Sequence, residues 1–257
     1  VMECLQEGFR SLDDSPKNLQ STLTHGFPEE SFDQVRFKML DYQHRMESEI
    51  SEFPRAKYYE GKALKDADTI SLRNQEVPFT YRNSEPAALW QDVNGKEDQG
   101  ANPEEVEAIK TELQQIFDWA RKNPRNDRTP WSVAVLTPYG KQNFNLLQMA
   151  KRITGMNNEF RFDLTKMKDP TPINLVVSST DKYQGQEADI VLISLVKVSG
   201  HGFLDSWNRM NVAITRAKRK RIIFGKHNNF VRTHDEMLND LAKSHNGNSL
   251  ISKERYV

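Results

Sequence analysis

Ser179-Thr180-Asp181-Lys182-Tyr183-Gln184-Gly185-Gln186-Glu187 is a polar segment that runs directly into the apolar stretch Ile190-Val191-Leu192-Ile193. A second segment, Asn211-Val212-Ala213-Ile214-Thr215-Arg216-Ala217, is predicted to be helical and carries an arginine. A short apolar run bounded by polar residues is typical of a buried strand in a parallel sheet. The two segments therefore predict a polar site at the edge of such a sheet, with Glu187 and Arg216 in it.

Strands and helices are predicted to alternate along the chain, which indicates an α/β domain with a parallel sheet. A helix is predicted after Asn102-Pro103, because an N-cap and a proline there precede apolar residues at helical spacing. Residues 61–86 are expected to be irregular. The predicted strands are 35–42, 87–93, 133–136, 173–177, 190–196 and 221–224, and the other predicted helices are 47–59, 140–153, 207–217 and 229–241.

Composition narrows the class of protein only a little. The chain has 257 residues, with 36 Lys and Arg against 36 Asp and Glu, so the net charge gives no support for a nucleic-acid binder. Its only cysteine, Cys4, excludes an internal disulfide and a thiolate metal cluster, which fits an intracellular protein. We find no metal-ligand spacing among the histidines, no signal peptide and no apolar run long enough to span a membrane.

Charge is unevenly distributed along the chain. From Trp207 to Arg232 there are eight Lys or Arg residues and no acid, whereas residues 97–113 hold six acids and one lysine. A basic run is often a solvated face, so this alternative stays open beside a binding role for Arg216.

The phosphate-binding loop of nucleoside triphosphatases is absent from the sequence. Such a loop has the form G-x-x-x-x-G-K-[ST], in which backbone amides and a lysine surround the phosphates. Gly-Lys pairs begin at residues 61, 95, 140 and 225, but none is followed by Ser or Thr. We therefore expect that this chain alone does not hydrolyse a nucleoside triphosphate.

Four blocks of the chain resemble the second RecA-like domain of superfamily 1 helicases, in the group of the nonsense-mediated-decay helicase and senataxin. Residues 42–46, Tyr-Gln-His-Arg-Met, are similar to Q-Y-R-M, and residues 136–142 are similar to T-P-Y-x-x-Q. Residues 179–187 are similar to T-V-D-x-[FY]-Q-G-x-E, and residues 208–218 to R-R-[LM]-N-V-A-[LI]-T-R-A-[KR]. The resemblance implies an α/β, RecA-like fold of the P-loop NTPase type, with a mostly parallel central sheet flanked by helices and without its own P-loop.

The same resemblance implies three regions in the chain. Residues 1–30 would connect to a first motor domain that this sequence lacks, residues 31–243 would form the second RecA-like domain, and residues 244–257 would be a tail. We expect the chain to be a piece of a longer protein, with the P-loop and the Mg²⁺ ligands on the first domain.

In the family, ATP lies in the cleft between the two RecA-like domains. The resemblance implies that Arg45 and Arg216 reach the γ-phosphate, with Gln184 as a phosphate-sensing amide. It also implies nucleotide contacts from Gln43, His44, Gly185 and Glu187, the last to the ribose hydroxyls. His44 stands where the family has a tyrosine that stacks on the base, so adenine selectivity is less secure here.

The resemblance further implies a track for single-stranded RNA or DNA on the adjacent edge of the domain. Hydroxyls and amides there would contact phosphates without reading sequence, and the tyrosine could stack on a base. The expected contacts are Thr137, Pro138, Tyr139, Ser179, Thr180 and Asp181.

The favoured function is the C-terminal motor domain of an ATP-dependent helicase or translocase. Two alternatives stay open: a non-catalytic nucleic-acid-binding module, and a regulatory domain whose arginines complete the site of another chain. At the level of single residues, Arg45 could be a surface ion-pair residue and Glu187 could pair with Lys182.

Overall fold

The part of the chain that the structure describes contains eight strands, and the apolar runs of the sequence lie in the longer ones. The computed structural model of the protein describes residues 41–58, 64–198, 204 and 207–245. The predicted connector, all of the predicted 35–42 strand except its last two residues, and most of the tail lie outside these residues. The strands are β1 (Tyr42–Gln43), β2 (Lys65–Asp66), β3 (Ala88–Asp92), β4 (Trp131–Thr137), β5 (Arg161–Asp163), β6 (Ile173–Ser179), β7 (Ala188–Ser194) and β8 (Ala217–Gly225).

The described part of the chain also contains seven α-helices, of which the last two follow the final strand. They are α1 (Ser48–Tyr58), α2 (Thr69–Glu76), α3 (Pro103–Lys122), α4 (Gly140–Thr154), α5 (Trp207–Ile214), α6 (His227–Val231) and α7 (Glu236–Ser244). The start of α3 follows the prediction, because the Asn102 side chain accepts from Glu105 N and Pro103 is the first helical residue. α4 ends at Gly155, whose φ of +66° is a conformation that glycine adopts without steric cost.

The main sheet has six strands in the order β3-β8-β7-β4-β6-β5. All neighbouring pairs are parallel except β5 and β6, so the carboxyl ends of five strands meet at one end of the sheet. Strands β1 and β2 form a separate parallel pair. This topology confirms the predicted RecA-like α/β fold with a mostly parallel sheet.

Side chains of alternate residues in the central strands belong to two hydrophobic cores, one on each face of the sheet. On β7, Val191 and Ile193 join one core with apolar side chains of α1, α5 and α7. Ile190 and Leu192 join the other core with apolar side chains of α3 and α4. Because both faces are covered, β7 is buried along its whole length, and its centre, residues 190–193, is a continuous apolar run.

Several predicted boundaries were wrong. Residues 61–86 contain β2 and α2, and the predicted helix 229–241 is two helices, α6 and α7, with a break between them. The antiparallel strand β5 was not predicted, because three residues carry too little periodicity. Helix α5 ends at Ile214, so Arg216 lies between α5 and β8 rather than on a helix.

Four of the eight cations of the basic run lie in the first half of β8, and three of these four are not on a solvated face. Arg219, Lys220 and Arg221 are only 3%, 2% and 1% exposed. Arg219 lies 3.6 Å from the buried carboxylate of Asp189, and Lys220 Nζ donates to the carbonyl oxygens of Arg82, Glu85 and Pro86. The solvated-face alternative is therefore wrong for residues 219–221, which hold the protein interior together.

Candidate functional site

Gln43 builds the turn that carries Arg45. Its Oε1 accepts from the backbone N–H groups of Arg45 at 3.0 Å and Met46 at 2.8 Å, and its Nε2 donates to Met46 O at 2.8 Å. The amide also donates to Asp66 on β2. Both ends of the Gln43 amide are thus bonded within the chain, and its visible role is to fix the position of Arg45 between β1 and α1.

Arg45 meets Glu187 at the amino end of β7. Arg45 Nε donates to Glu187 Oε2 at 2.7 Å, and its Nη1 donates to Thr215 O at 3.2 Å. Lys218 Nζ lies 2.7 Å from the other carboxylate oxygen of Glu187. Partial burial raises the pKa of Glu187, but hydrogen bonds from Lys218 and Arg45 outweigh it and hold this pKa below its usual value. The carboxylate pairs with Arg45 and Lys218, rather than with Lys182 as one alternative had it.

Arg216 lies beside this pair. Its Nε donates to Val212 O at 2.7 Å, and its Nη1 donates to Gln186 O at 3.3 Å, next to Glu187. The backbone also connects the two segments, because Ala188 N donates to Arg216 O at 3.0 Å. The structure thus brings together Arg45, Glu187 and Arg216 from three distant parts of the chain, and it adds Lys218, which the sequence analysis missed.

The remaining predicted nucleotide contacts surround this cluster. Gly185 has a φ of +82°, which favours glycine, and Gln184 is exposed just before it. The His44 ring is exposed and its Nδ1 is 2.9 Å from Thr69 Oγ1 on α2. An exposed ring on the same turn as Arg45 is compatible with contact to a planar base.

The predicted strand contacts lie at the carboxyl ends of β4 and β6. Thr137 and Ser179 are register partners in these strands, and Thr180 N donates to Thr137 O at 3.1 Å. The side chains of Thr137, Tyr139 and Thr180 are buried, Pro138 and Ser179 are half-buried, and Asp181 is exposed and 3.2 Å from Arg209 Nε. Burial of the Tyr139 ring leaves little of its face for base stacking.

The two groups of predicted contacts lie at opposite ends of the strands, not on adjacent edges as expected. Glu187 and Arg216 precede the first residues of β7 and β8, which are register partners, whereas Thr137 and Ser179 end β4 and β6. A strand of seven residues separates these ends by roughly 20 Å. The segment 180–187 connects them, and its Tyr183 is buried in a core.

A buried polar network near the carboxyl end of β7 was not predicted as a unit. Glu105 of α3 accepts from Ser194 Oγ at 2.5 Å and from Val196 N at 2.9 Å, and Gln142 Nε2 donates to Ser194 Oγ at 2.8 Å. Burial raises the pKa of Glu105 to about 8, against the opposing effect of the hydrogen bonds from Ser194 and the backbone. Gln142, the last residue of the T-P-Y-x-x-Q block, is the member of this network that lies within a recognised sequence block.

Val196 in this network has a φ of +68°. This conformation is uncommon for a β-branched residue and costs about 1–3 kcal/mol, so the surrounding contacts must hold it.

Within the described residues, no group of three or more His, Cys, Asp or Glu side chains could hold a metal ion. None of the helices in the same residues is long and apolar enough to cross a membrane.

Comparison with known proteins identifies relatives of this sequence. The chain is 31% identical over 205 residues to the ATP-dependent helicase NAM7 and 28% identical over 195 residues to helicase SEN1, both of Saccharomyces cerevisiae. These matches cover 75% and 73% of this chain but only 19% and 8% of the relatives. An uncharacterized ATP-dependent helicase of Methanocaldococcus jannaschii is 27% identical over 241 residues, covering 88% of this chain and 31% of that protein.

The fold and the four sequence blocks define the second RecA-like domain of a superfamily 1 helicase, in the group of the nonsense-mediated-decay helicase and senataxin. The family model described as "AAA domain" matches residues 19–228, and the chain belongs to this family. The chain spans less than a third of the length of the relatives named above.

Proposed function

We propose that this chain is the C-terminal motor domain of an intracellular ATP-dependent helicase or translocase. It contributes arginines and a ribose contact to ATP bound between two RecA-like domains, and it forms part of the track for single-stranded RNA or DNA. The P-loop and the Mg²⁺ ligands belong to a first domain outside this chain.

The observation that carries the proposal is the convergence of Arg45, Glu187 and Arg216 at the amino end of β7 and β8. Phosphoryl transfer places negative charge on the γ-phosphate oxygens, and guanidinium groups stabilise it through paired hydrogen bonds. Bound ATP supplies the phosphoryl group for this chemistry. Arg45 and Arg216 donate to it, and Gln184 is close enough along the chain to assist as an amide.

Glu187 accepts hydrogen bonds from the ribose hydroxyls in this proposal. Arg45 Nε donates to Glu187 at 2.7 Å, and in this proposal Arg45 exchanges the carboxylate for the phosphate when nucleotide binds. Lys218 keeps Glu187 ionised during this exchange, since it holds the other carboxylate oxygen at 2.7 Å. His44 and Gly185 border the same space, and Gln43 fixes the Arg45 turn.

The strand contacts divide into two kinds in this proposal. Pro138, Ser179 and Asp181 are accessible to a strand, and backbone amides of the same turns bond its phosphates without reading sequence. The side chains of Thr137, Tyr139 and Thr180 are buried, and in this proposal they support the turns without contacting the strand.

The test is the ATPase activity of the complete polypeptide that carries this chain, with and without a single strand. Arg45→Ala and Arg216→Ala should each lower kcat by about 10³–10⁵, as loss of an arginine finger does, with a much smaller change in nucleotide Kd. Arg→Lys at either position should not restore the rate, because an ammonium group lacks the paired donors.

The matched control is Arg152→Ala, since Arg152 is an exposed arginine on α4. Near-wild-type kcat in both Arg45→Ala and Arg216→Ala would contradict the proposal and favour a non-catalytic or regulatory module.

A further inference from the structure

The chain reverses direction sharply just after β7. Lys197 N donates to Leu195 O at 2.7 Å, and Val196 between them has a φ of +68°. These features define a γ-turn with positive φ, a rare and strained conformation. No glycine is present to relieve the strain, so other residues must impose the turn.

Two buried side chains at the start of α3 hold this turn through hydrogen bonds to its backbone. Both carboxylate oxygens of Glu105 accept from Val196 N, at 3.0 and 2.9 Å. Asn102 Nδ2 donates to Val196 O at 3.2 Å. Glu105 and Asn102 are both fully buried, so the peptide groups on either side of Val196 are held from within the protein.

The turn directs the Lys197 side chain across the carboxyl end of the sheet. Lys197 Nζ lies 2.6 Å from Glu97 Oε1 and 5.7 Å from the centre of the Tyr139 ring. Together with Lys141, these residues border an open cleft of about 590 Å³ beside the T-P-Y-x-x-Q block. The cleft therefore adjoins the turn that carries the proposed strand contacts.

We propose that Lys197 is a phosphate contact for the bound single strand and that Glu105 positions it by holding the Val196 turn. The inference rests on the proposed function. An ammonium group has three donors, so Lys197 can donate to a phosphate while it keeps or exchanges its bond to Glu97. Such a contact strengthens binding without selecting a sequence. Glu97 competes with the phosphate for the same ammonium group.

The first experiment measures binding of a fluorescently labelled oligo-uridine and oligo-thymidine to the complete polypeptide at several salt concentrations, without nucleotide. Lys197→Ala should raise Kd by about fivefold, the worth of one exposed charge contact, and lower the salt slope by about one. Glu97→Gln should have the opposite effect and lower Kd, because it frees the ammonium group. Lys122→Ala, which removes an exposed lysine of α3, is the control and should change neither quantity.

The second experiment tests the positioning role. Glu105→Ala removes both oxygens that accept from Val196 N, so it should weaken strand binding about as much as Lys197→Ala does. Adding Val196→Gly should restore affinity, because glycine adopts positive φ without strain. Glu107→Ala, which changes an exposed glutamate on the same helix, is the control. A loss of packing alone would not be repaired by a glycine, so the rescue separates positioning from general destabilisation.

Unchanged Kd and salt slope in Lys197→Ala, or lack of rescue by Val196→Gly, would overturn this inference while the proposed function stands. Wild-type protein that binds no strand would overturn both. If Glu105→Ala does not fold, the opposite shifts expected of Lys197→Ala and Glu97→Gln still decide the role of Lys197.

Discussion

Glu187 holds Arg45 and Lys218 on its two carboxylate oxygens, so its charge is neutralised before any ligand arrives. Two bonds to cations fix the orientation of this side chain more firmly than one would. An acid held in this way is ready to accept from hydroxyl groups as soon as one cation moves to another partner. Glu187 thus binds two cations in the site without ligand and would bind the ribose in the proposed site with nucleotide.

Replacing Glu187 with Gln should weaken nucleotide binding by the complete polypeptide, with a milder loss of kcat. The neutral amide is a weaker acceptor for ribose hydroxyls, and Arg45 loses its charged partner but keeps access to the phosphate. A nucleotide titration and steady-state ATPase rates on the same variant measure the two effects. Glu159→Gln is the control at an exposed site, and a Glu187→Gln variant with unchanged Kd would refute the ribose role.

Sequence blocks were enough to predict Arg45, Glu187 and Arg216 as neighbours, because each lies within a recognisable motif. Lys218 was not predicted, since its position depends on the pairing of Ala188 with Ala217 at the start of β7 and β8. Val196 was not predicted either. A positive φ is unfavourable for valine, so the local sequence does not predict it. The conformation is held by hydrogen bonds to Glu105 and Asn102, which are distant in sequence.

At the scale of elements, β8 is a central strand whose first half is basic. A run of charged residues usually indicates a solvated face. The sequence pattern therefore did not predict that this part of β8 is buried on both sides. The interior supplies carbonyl oxygens to Lys220 and Arg221 and the carboxylate of Asp189 to Arg219. Lys220 alone contacts three carbonyl oxygens in the segment before β3.

Lys220→Met should destabilise the chain by about 1–3 kcal/mol, because buried carbonyl oxygens lose their donor. Burial and the neighbouring charge of Arg82 lower the pKa of Lys220 to about 8. The unfolded state therefore binds more protons between pH 8 and about 10.4, and this lysine makes the folded state more stable as the pH rises through that window.

Urea unfolding of the chain at several pH values measures both effects. The rise in stability should be absent from Lys220→Met and retained in Lys122→Met, which changes an exposed lysine. An identical pH dependence in wild type and Lys220→Met would contradict the assignment.

At the scale of the whole molecule, the mostly parallel sheet followed from the sequence blocks, but the strand order and the distance between the two groups of contacts did not. The order of the blocks alone does not give this distance, which depends on where each strand begins and ends. The register shows Glu187 and Ser179 at opposite ends, connected by a single short segment.

The isolated chain should show no ATP hydrolysis above background with Mg²⁺, even with a single strand present. It lacks a P-loop, and in its described part no acidic cluster could hold the metal ion. A phosphate-release assay on the purified chain measures this. Strand-stimulated hydrolysis that disappears in Arg216→Ala would show that the chain contains a complete site.

Each face of the sheet carries its own buried tryptophan. Trp90 packs against Phe230 and His245 in one core, and Trp131 packs against Trp119 and beneath Arg125 in the other. The chain has four tryptophans, and indole emission depends on local polarity. Variants in which Trp90 or Trp131 is the one remaining tryptophan would therefore report the unfolding of the core that contains it through a change in emission wavelength and intensity. The molecule therefore contains two built-in optical probes, which can show whether its two halves melt together or one after the other.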